Sequence, residues 1–250
     1  MAKVFISAGH GGSDPGAVGN GLQEKDMNLH VASACATYLQ QAGVDVRVSR
    51  TCDENDPVGE EVAEANAFKA DIAVSFHNNA GGGDGSETWY YTNSSTSKKL
   101  AMLMEEASKK LGQNSRGIKP TTTLYFLSKT AMPAVLVETA FIDNSTDIQI
   151  IDTKEEAYKF GIAYAMAICT FLNINAPGNA VVCTDITIKA KCDLNIRKGP
   201  GVDYDIVGVL DTTYKYTIVA TASAKDGGTW GRLKSGVGWV NISDKYITKY

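Results

Sequence analysis

The chain has 250 residues, of which 44% are hydrophobic and 21% charged, with a net charge of −4 at pH 7. That composition is ordinary for a globular protein and excludes disordered, collagen-like and membrane-embedded classes, since no segment approaches the roughly 20 apolar residues a span needs. Basic residues are neither in excess nor gathered in a run, so nucleic acid is not indicated as a partner. The length accommodates one α/β domain and a smaller second one.

The N-terminal sequence MAKVFISAGH enters its first strand directly, which reads as synthesis in the cytoplasm without a signal peptide. Val4-Phe5-Ile6 is a short apolar run fitting a buried strand, and it breaks into a Gly-rich turn carrying His10. Glu24 to Ala42 reads as a helix closed by Gly43, and Val44 to Val48 alternates as a second strand. Pro57 suits the first turn of a helix reaching about Lys69; the strand Ile72 to Phe76 follows and runs into His77. Gly81 to Gly85 reads as a flexible loop bordering a cleft. It is not a phosphate cradle, because neither Lys-Ser nor Lys-Thr follows it and no helix opens at its end.

Thr88 to Tyr91 reads as a strand and Ser97 to Leu111 as a helix. Leu124 to Leu127 and Ala134 to Val137 read as further strands, the latter running into Glu138, and a long apolar helix spans about Lys154 to Leu172. Alternating strands and helices predict a twisted, mostly parallel sheet flanked by helices, with right-handed crossovers. The polar Pro/Gly stretch NINAPGNA then reads as a linker. Beyond it, short alternating runs without helical period predict a small all-β barrel. The expected organisation is therefore a catalytic domain at 1–175, a linker at 176–182 and an all-β domain at 183–250. Residues 1–175 carry a net −7 and residues 176–250 a net +3, so the parts differ in charge as well as in period.

Three strand-like segments end on a residue able to bind metal or move a proton: His10, His77 and Glu138. In open α/β sheets ligands gather at the carboxyl ends of the strands, which predicts one shared rim. Glu24, opening the helix after the first strand, belongs on that same rim. Two imidazoles and a carboxylate with a fourth position left open form a recognised catalytic zinc set. The competing reading of Glu24 is an acidic residue favoured by the positive end of a helix. Glu138, following four apolar residues, reads as a carboxylate kept beside the metal to take and return a proton.

His30 serves as a control. It lies six residues after Glu24 and faces about 120° away around the helix, so it reads as a surface or packing residue. The five cysteines have no CxxC spacing and read as reduced, mostly packing thiols. Arg116 and Lys119, in NSRGIKP, either meet an anionic substrate group or are plain surface charge.

SAGHGGSDPGA, Glu24, ADIAVSFHNNA, SETWYY, RGIK and PAVLVETAFIDN together resemble the zinc-dependent N-acetylmuramoyl-L-alanine amidases of the amidase-3 type, over about residues 1 to 173. The resemblance implies zinc held by His10, Glu24 and His77, Glu138 as the catalytic glutamate, and peptidoglycan as substrate. Many relatives carry an arginine on the helix before the His77 strand, where this chain has Glu60, Glu61 and Glu64. The tail LNIRKGPGVDYDIVGVL with VGWVNISDKYI resembles a bacterial SH3 (SH3b) domain, implying a hold on the cell wall.

The combination resembles a phage endolysin, acting on the wall after holin-type release. A bacterial autolysin that lyses its mother cell is the alternative with the same chemistry. A cysteine peptidase is disfavoured because Cys35 and Cys169 fall inside predicted helices, and an inert wall-binding protein because all four site residues are present.

Overall fold

The computed structural model describes residues 1–175, 181–224 and 227–250, with the backbone alone at 181–185. The chain divides into two units, Met1–Ala176 and Pro177–Tyr250.

The first unit runs β1 (Lys3–Ala8), a two-residue hairpin pair β2 (Val18–Gly19) and β3 (Leu22–Gln23), α1 (Glu24–Gln41), β4 (Asp45–Val48), α2 (Val58–Phe68), β5 (Ile72–Asn79) and β6 (Ser86–Tyr91). It continues with α3 (Ser95–Lys110), β7 (Ser115–Thr121), α4 (Tyr125–Lys129), β8 (Ala134–Phe141), a 3-10 turn at Asp147–Ile150 and α5 (Lys154–Leu172). Six strands form one sheet in the order β4-β1-β5-β8-β6-β7. All neighbours are parallel except β6 and β8, so the sheet is mostly parallel, as the alternation of elements predicts.

The period-2 alternation of the strands sorts their residues onto two faces. Ile72, Val74, Phe76, Val135 and Val137 are buried in the large core formed with Val31, Leu39, Leu100, Met104, Phe160, Tyr164 and Ile168 of α1, α3 and α5. Phe5, Ala73, Leu136 and the half-buried Trp89 face the other way, under Val62 and Ala65 of α2 and Phe126 and Leu127 of α4. Further along the same face the residues become polar: Ser75, His77, Glu138 and Glu87. One face of the sheet is thus apolar at one end and chemical at the other.

Two sequence readings are corrected. Leu124 to Leu127 is not a strand: Tyr125–Lys129 is a short helix, with Ser128 N–H donating to Leu124 C=O at 3.0 Å. A four-residue apolar run cannot by itself distinguish the two, and burial of Phe126 and Leu127 beneath the sheet favours a helical turn. The sixth strand is instead Ser115–Thr121, whose Gly117 and Pro120 hide its pattern. The second correction concerns the loop at Gly81 to Gly85, which is tied down. The Asp143 carboxylate accepts from Gly81 and Gly82 N–H at 2.8 and 2.9 Å, and Asp147 accepts from Gly85 N–H at 2.7 Å. Strand boundaries also shift, since His77 and Glu138 lie within β5 and β8 rather than just beyond them.

The second unit is all β: β9 (Val181–Ala190), β10 (Leu194–Arg197), β11 (Ile206–Leu210), β12 (Lys215–Ser223), β13 (Thr229–Leu233), β14 (Trp239–Asn241) and β15 (Ile247–Lys249). These pair antiparallel in the order β11-β10-β14-β13-β12-β9-β15 around Ile188, Leu194, Ile196, Leu210, Ile218, Leu233, Val240 and Ile247. The expected linker falls largely on residues 176–180, outside the described residues.

Candidate metal centre and its proton carrier

Beyond β1 the chain turns sharply at Gly9-His10-Gly11. His10 has φ +65°, a left-handed conformation that costs a non-glycine residue about 1–2 kcal/mol. Gly11 and Asp14 hold the turn by exchanging two backbone hydrogen bonds of 3.0 Å. Arg50, only 2% exposed, anchors it from below, donating to the carbonyls of Ala8 at 2.8 Å, Gly9 at 3.3 Å and Lys25 at 2.6 Å. One buried guanidinium therefore links the end of β1 to the start of α1.

At that start, Glu24 turns inward. Its Oε2 lies 3.2 Å from His10 Nε2, and its Oε1 lies 2.9 Å from His77 Nδ1. Ala17 N–H donates to Oε2 at 2.8 Å, while Asn78 N–H donates to Oε1 at 3.0 Å and the Asn28 side-chain amide at 3.3 Å. A carboxylate in that many hydrogen bonds is not merely answering a helix dipole. The ligand atoms of His10, Glu24 and His77 all lie within 4.8 Å of one another, the only such group of three among the described residues. The two imidazole centroids are 5.0 Å apart at an interplanar angle of 80°. Gly9 lets the rings approach, because a Cβ there would stand 2.2 Å from the His77 ring.

The electrostatics follow from this packing. Burial pushes the Glu24 carboxyl up, but hydrogen bonds from His10 and His77 outweigh it and hold the group well below the usual carboxylate range. His10 is raised to about 9, chiefly by its bond to Glu24, with burial opposing and Asp14 assisting. Burial lowers His77, yet Glu24 and the charge of Glu138 carry it upward overall. Two imidazoles around one carboxylate thus hold protons that a cation would displace.

Glu138 lies opposite His77 in the β5–β8 register and opposite Glu87 in the β6–β8 register. Its Oε2 is buried without a hydrogen-bond partner, and burial pushes the carboxyl up to about 7. A carboxyl with an idle oxygen and a proton affinity near neutrality can both accept and donate a proton.

All four expected site residues meet here, while His30 does not; it packs edge-on against Tyr158, with centroids 5.9 Å apart. Cys35 and Cys169 are buried, and Cys52 and Cys192 are exposed rather than packed. Sequence reasoning missed the residues that aim the ligands. Asp14 Oδ2 sits 2.8 Å from His10 Nδ1, leaving Nε2 toward Glu24. Asn28 spans Gly9 C=O, Glu24 and, through its Oδ1, the Asn78 amide. An aspartate four residues after His10 and an asparagine four after Glu24 are the traces these leave in sequence. Glu61 is a further one: buried on α2, it accepts from the Ser7 hydroxyl at 2.9 Å, and burial together with the charge of Asp56 raises its pKa.

Residues 4–170 match the family model described as Amidase_3, N-acetylmuramoyl-L-alanine amidase. The chain is 34% identical over 194 residues to N-acetylmuramoyl-L-alanine amidase CwlM of Bacillus licheniformis, covering 76% of each chain. It is 32% identical to the endolysin of Bacillus phage SPP1, over 99% of this chain and 98% of the relative. The first unit superposes on the catalytic domain of the amidase CwlV of Bacillus (Paenibacillus) polymyxa var. colistinus with a TM-score of 0.65 and 30% identity, covering 70% of this chain and all of that one. The fold, the converging histidines and glutamate and the family match over two thirds of its length agree: the chain belongs to the Amidase_3 family of N-acetylmuramoyl-L-alanine amidases.

Proposed function

We propose that the protein is a zinc-dependent hydrolase of the amide between the lactyl group of N-acetylmuramic acid and the L-alanine that begins the peptidoglycan stem peptide. The observation that carries the reading is the closure of His10, Glu24 and His77 to within 4.8 Å, with Glu138 beside His77 in register. The donor chemistry fits zinc, being two nitrogens and one carboxylate oxygen with no thiolate, three of the four places of a tetrahedron. Bound there, zinc supplies Lewis acidity, polarising the scissile carbonyl and acidifying water.

The chain's own residues supply the rest. Asp14 fixes the His10 ring, and the backbone N–H groups of Ala17 and Asn78 fix the Glu24 carboxylate. Glu138 takes the proton of the attacking water and returns it to the leaving nitrogen of L-alanine. Burial, which pushes this carboxyl up to about 7, keeps that proton exchangeable near neutral pH.

Similarity to a phage endolysin along nearly the whole chain supports an endolysin role, with access to the wall after holin-type membrane opening and the C-terminal all-β unit as an SH3b wall-binding module. Similarity to a sporulation-specific amidase of Bacillus subtilis, 36% identical over 61% of this chain, keeps mother-cell lysis as the second reading. Among the described residues no helix is long and apolar enough to cross a membrane.

The test is digestion of purified peptidoglycan by the wild type and Glu138→Ala, scoring new L-alanine amino termini against new reducing sugar ends. Amino termini from the wild type alone support the reading. New reducing ends would mean a glycosidase.

A further inference from the structure

The strand that sequence reasoning missed carries an unusual feature opposite the proton carrier. In the parallel β6–β7 pair, Ser86 faces Ser115 but Thr88 faces Ile118, so two residues of β7, Arg116 and Gly117, oppose the single residue Glu87. This is a β-bulge, and Gly117 takes φ +81° within it. A Cβ on Gly117 would meet nothing within 4 Å, so the glycine serves the backbone conformation and not a close approach.

The bulge changes which face Arg116 serves. Lys119 is paired with Trp89, on the polar-ended face, and Ile118 packs against the main core on the other. Counting back in strict alternation, Arg116 would lie on the core side, beneath α3. The extra residue brings it instead to Glu87, whose Oε2 accepts from Arg116 Nε at 2.8 Å. Glu87 is 5% exposed, and its Oε1 accepts from the Asn79 side-chain amide at 3.0 Å. The guanidinium carbon also lies over the Phe141 ring, 5.0 Å from its centroid. Nε is thereby held and the guanidinium rests against an aromatic ring, while the two terminal Nη groups have no partner among the described residues. An arginine fixed in this way is pre-organised to receive a carboxylate with both terminal nitrogens.

His77, Glu138, Glu87 and Arg116 lie in a row across β5, β8, β6 and β7. If Glu138 hands its proton to the leaving nitrogen, the leaving peptide continues away from the metal ligands along that row. Arg116's strand lies two strand spacings, about 10 Å, beyond that of Glu138. An extended peptide advances about 3.5 Å per residue, so the reach corresponds to the first two or three residues of the leaving group. The muramoyl side offers no carboxylate, because its lactyl carboxyl is consumed in the scissile amide. A carboxylate at this place must therefore belong to the stem peptide.

We propose that Arg116 is a specificity-determining residue that binds a free carboxylate of the stem peptide on the leaving-group side, so that the enzyme prefers acidic stems to amidated ones. The inference rests on the amidase reading and on Glu138 as proton carrier.

The test uses matched N-acetylmuramoyl tripeptides beginning with L-alanine, one with free carboxyl groups and one with every carboxyl converted to carboxamide. The full-length wild type is expected to cleave the acidic substrate with kcat/KM about tenfold or more above the amidated one. Arg116→Gln is expected to raise KM on the acidic substrate about tenfold with kcat little changed, and to alter the amidated substrate less than about twofold. Arg116→Lys, which keeps charge but not the fork, falls between. The double variant Glu87→Gln/Arg116→Gln removes the buried charge left unpaired by the single change, and it is expected to behave as Arg116→Gln does. Equal cleavage of both substrates by the wild type, a parallel loss on both in Arg116→Gln, or recovery in the double variant would overturn the proposal while leaving the amidase reading intact. Failure of the wild type to release an L-alanine amino terminus from either substrate would overturn both.

Discussion

Glu138 stands directly across the sheet from His77, one strand away from a metal-ligand candidate and turned to the same face. Its unpartnered buried oxygen and its raised pKa share one cause, since a site that withholds hydrogen bonds and water from a carboxylate favours its protonated form.

Replacement of Glu138 by glutamine preserves shape and removes proton transfer. We expect kcat to fall about 10²- to 10⁴-fold, with the fold and the bound metal retained. The wild-type acid limb of kcat/KM reports deprotonation of this group, whose pKa is about 7 without a cation. A cation at the neighbouring ligands lowers that value, so activity should fall as pH drops through a midpoint below 7. Steady-state rates from pH 4 to 9 decide the matter, and a midpoint unchanged by replacing Glu138 would assign the limb to another group.

Asp14 acts on His10 through the ring nitrogen that faces away from Glu24. Asp14→Asn should weaken metal affinity about 10- to 100-fold while shifting the thermal midpoint little, because the side chain is largely exposed. Competition against a chromophoric chelator measures it. Wild-type affinity in the variant would reduce the contact to a surface bond.

Glu61 gives a stability prediction with a definite sign. Its folded pKa is raised, chiefly by burial and then by Asp56, so the native state binds more protons than the unfolded chain above the ordinary carboxylate range. Stability contributed by this group is therefore complete at low pH and lost as pH rises through the folded value. Glu61→Gln should remove that loss, making the metal-free protein more stable than wild type above neutrality by on the order of 1–3 kcal/mol, with little difference near pH 4. Urea unfolding at several pH values tests it, and a variant less stable at pH 8 would reverse the assignment.

The two units make separable predictions. A chain ending at residue 175 keeps every site residue named above. It should cleave soluble muramoyl peptides within about twofold of the full chain, since no proposed catalytic contact lies beyond that point. Binding to intact cell walls in a pull-down should be lost, whereas undiminished wall binding would remove the proposed role of the second unit.

Much of this architecture is legible in the sequence. Strand ends carrying His10, His77 and Glu138 are local patterns, and their meeting follows from the parallel order of β1, β5 and β8. What escaped depended on long-range packing or on a broken pattern. Leu124 to Leu127 reads as a strand because four apolar residues fit either form until their burial partners are known, and the chain there forms the helix Tyr125–Lys129. Ser115–Thr121 was hidden by a glycine that makes a bulge and a proline near its end. Arg50, buried among carbonyl groups, gives no sequence sign of its role, since arginine is ordinarily read as surface charge.

Zinc stoichiometry, measured by elemental analysis on wild type, His77→Ala and Glu138→Gln purified in parallel, tests the central claim most directly. The account predicts about one ion per folded chain in the wild type, almost none in His77→Ala and about one in Glu138→Gln. A wild type that binds no zinc under saturating conditions, or a His77→Ala protein that retains it, would contradict the account.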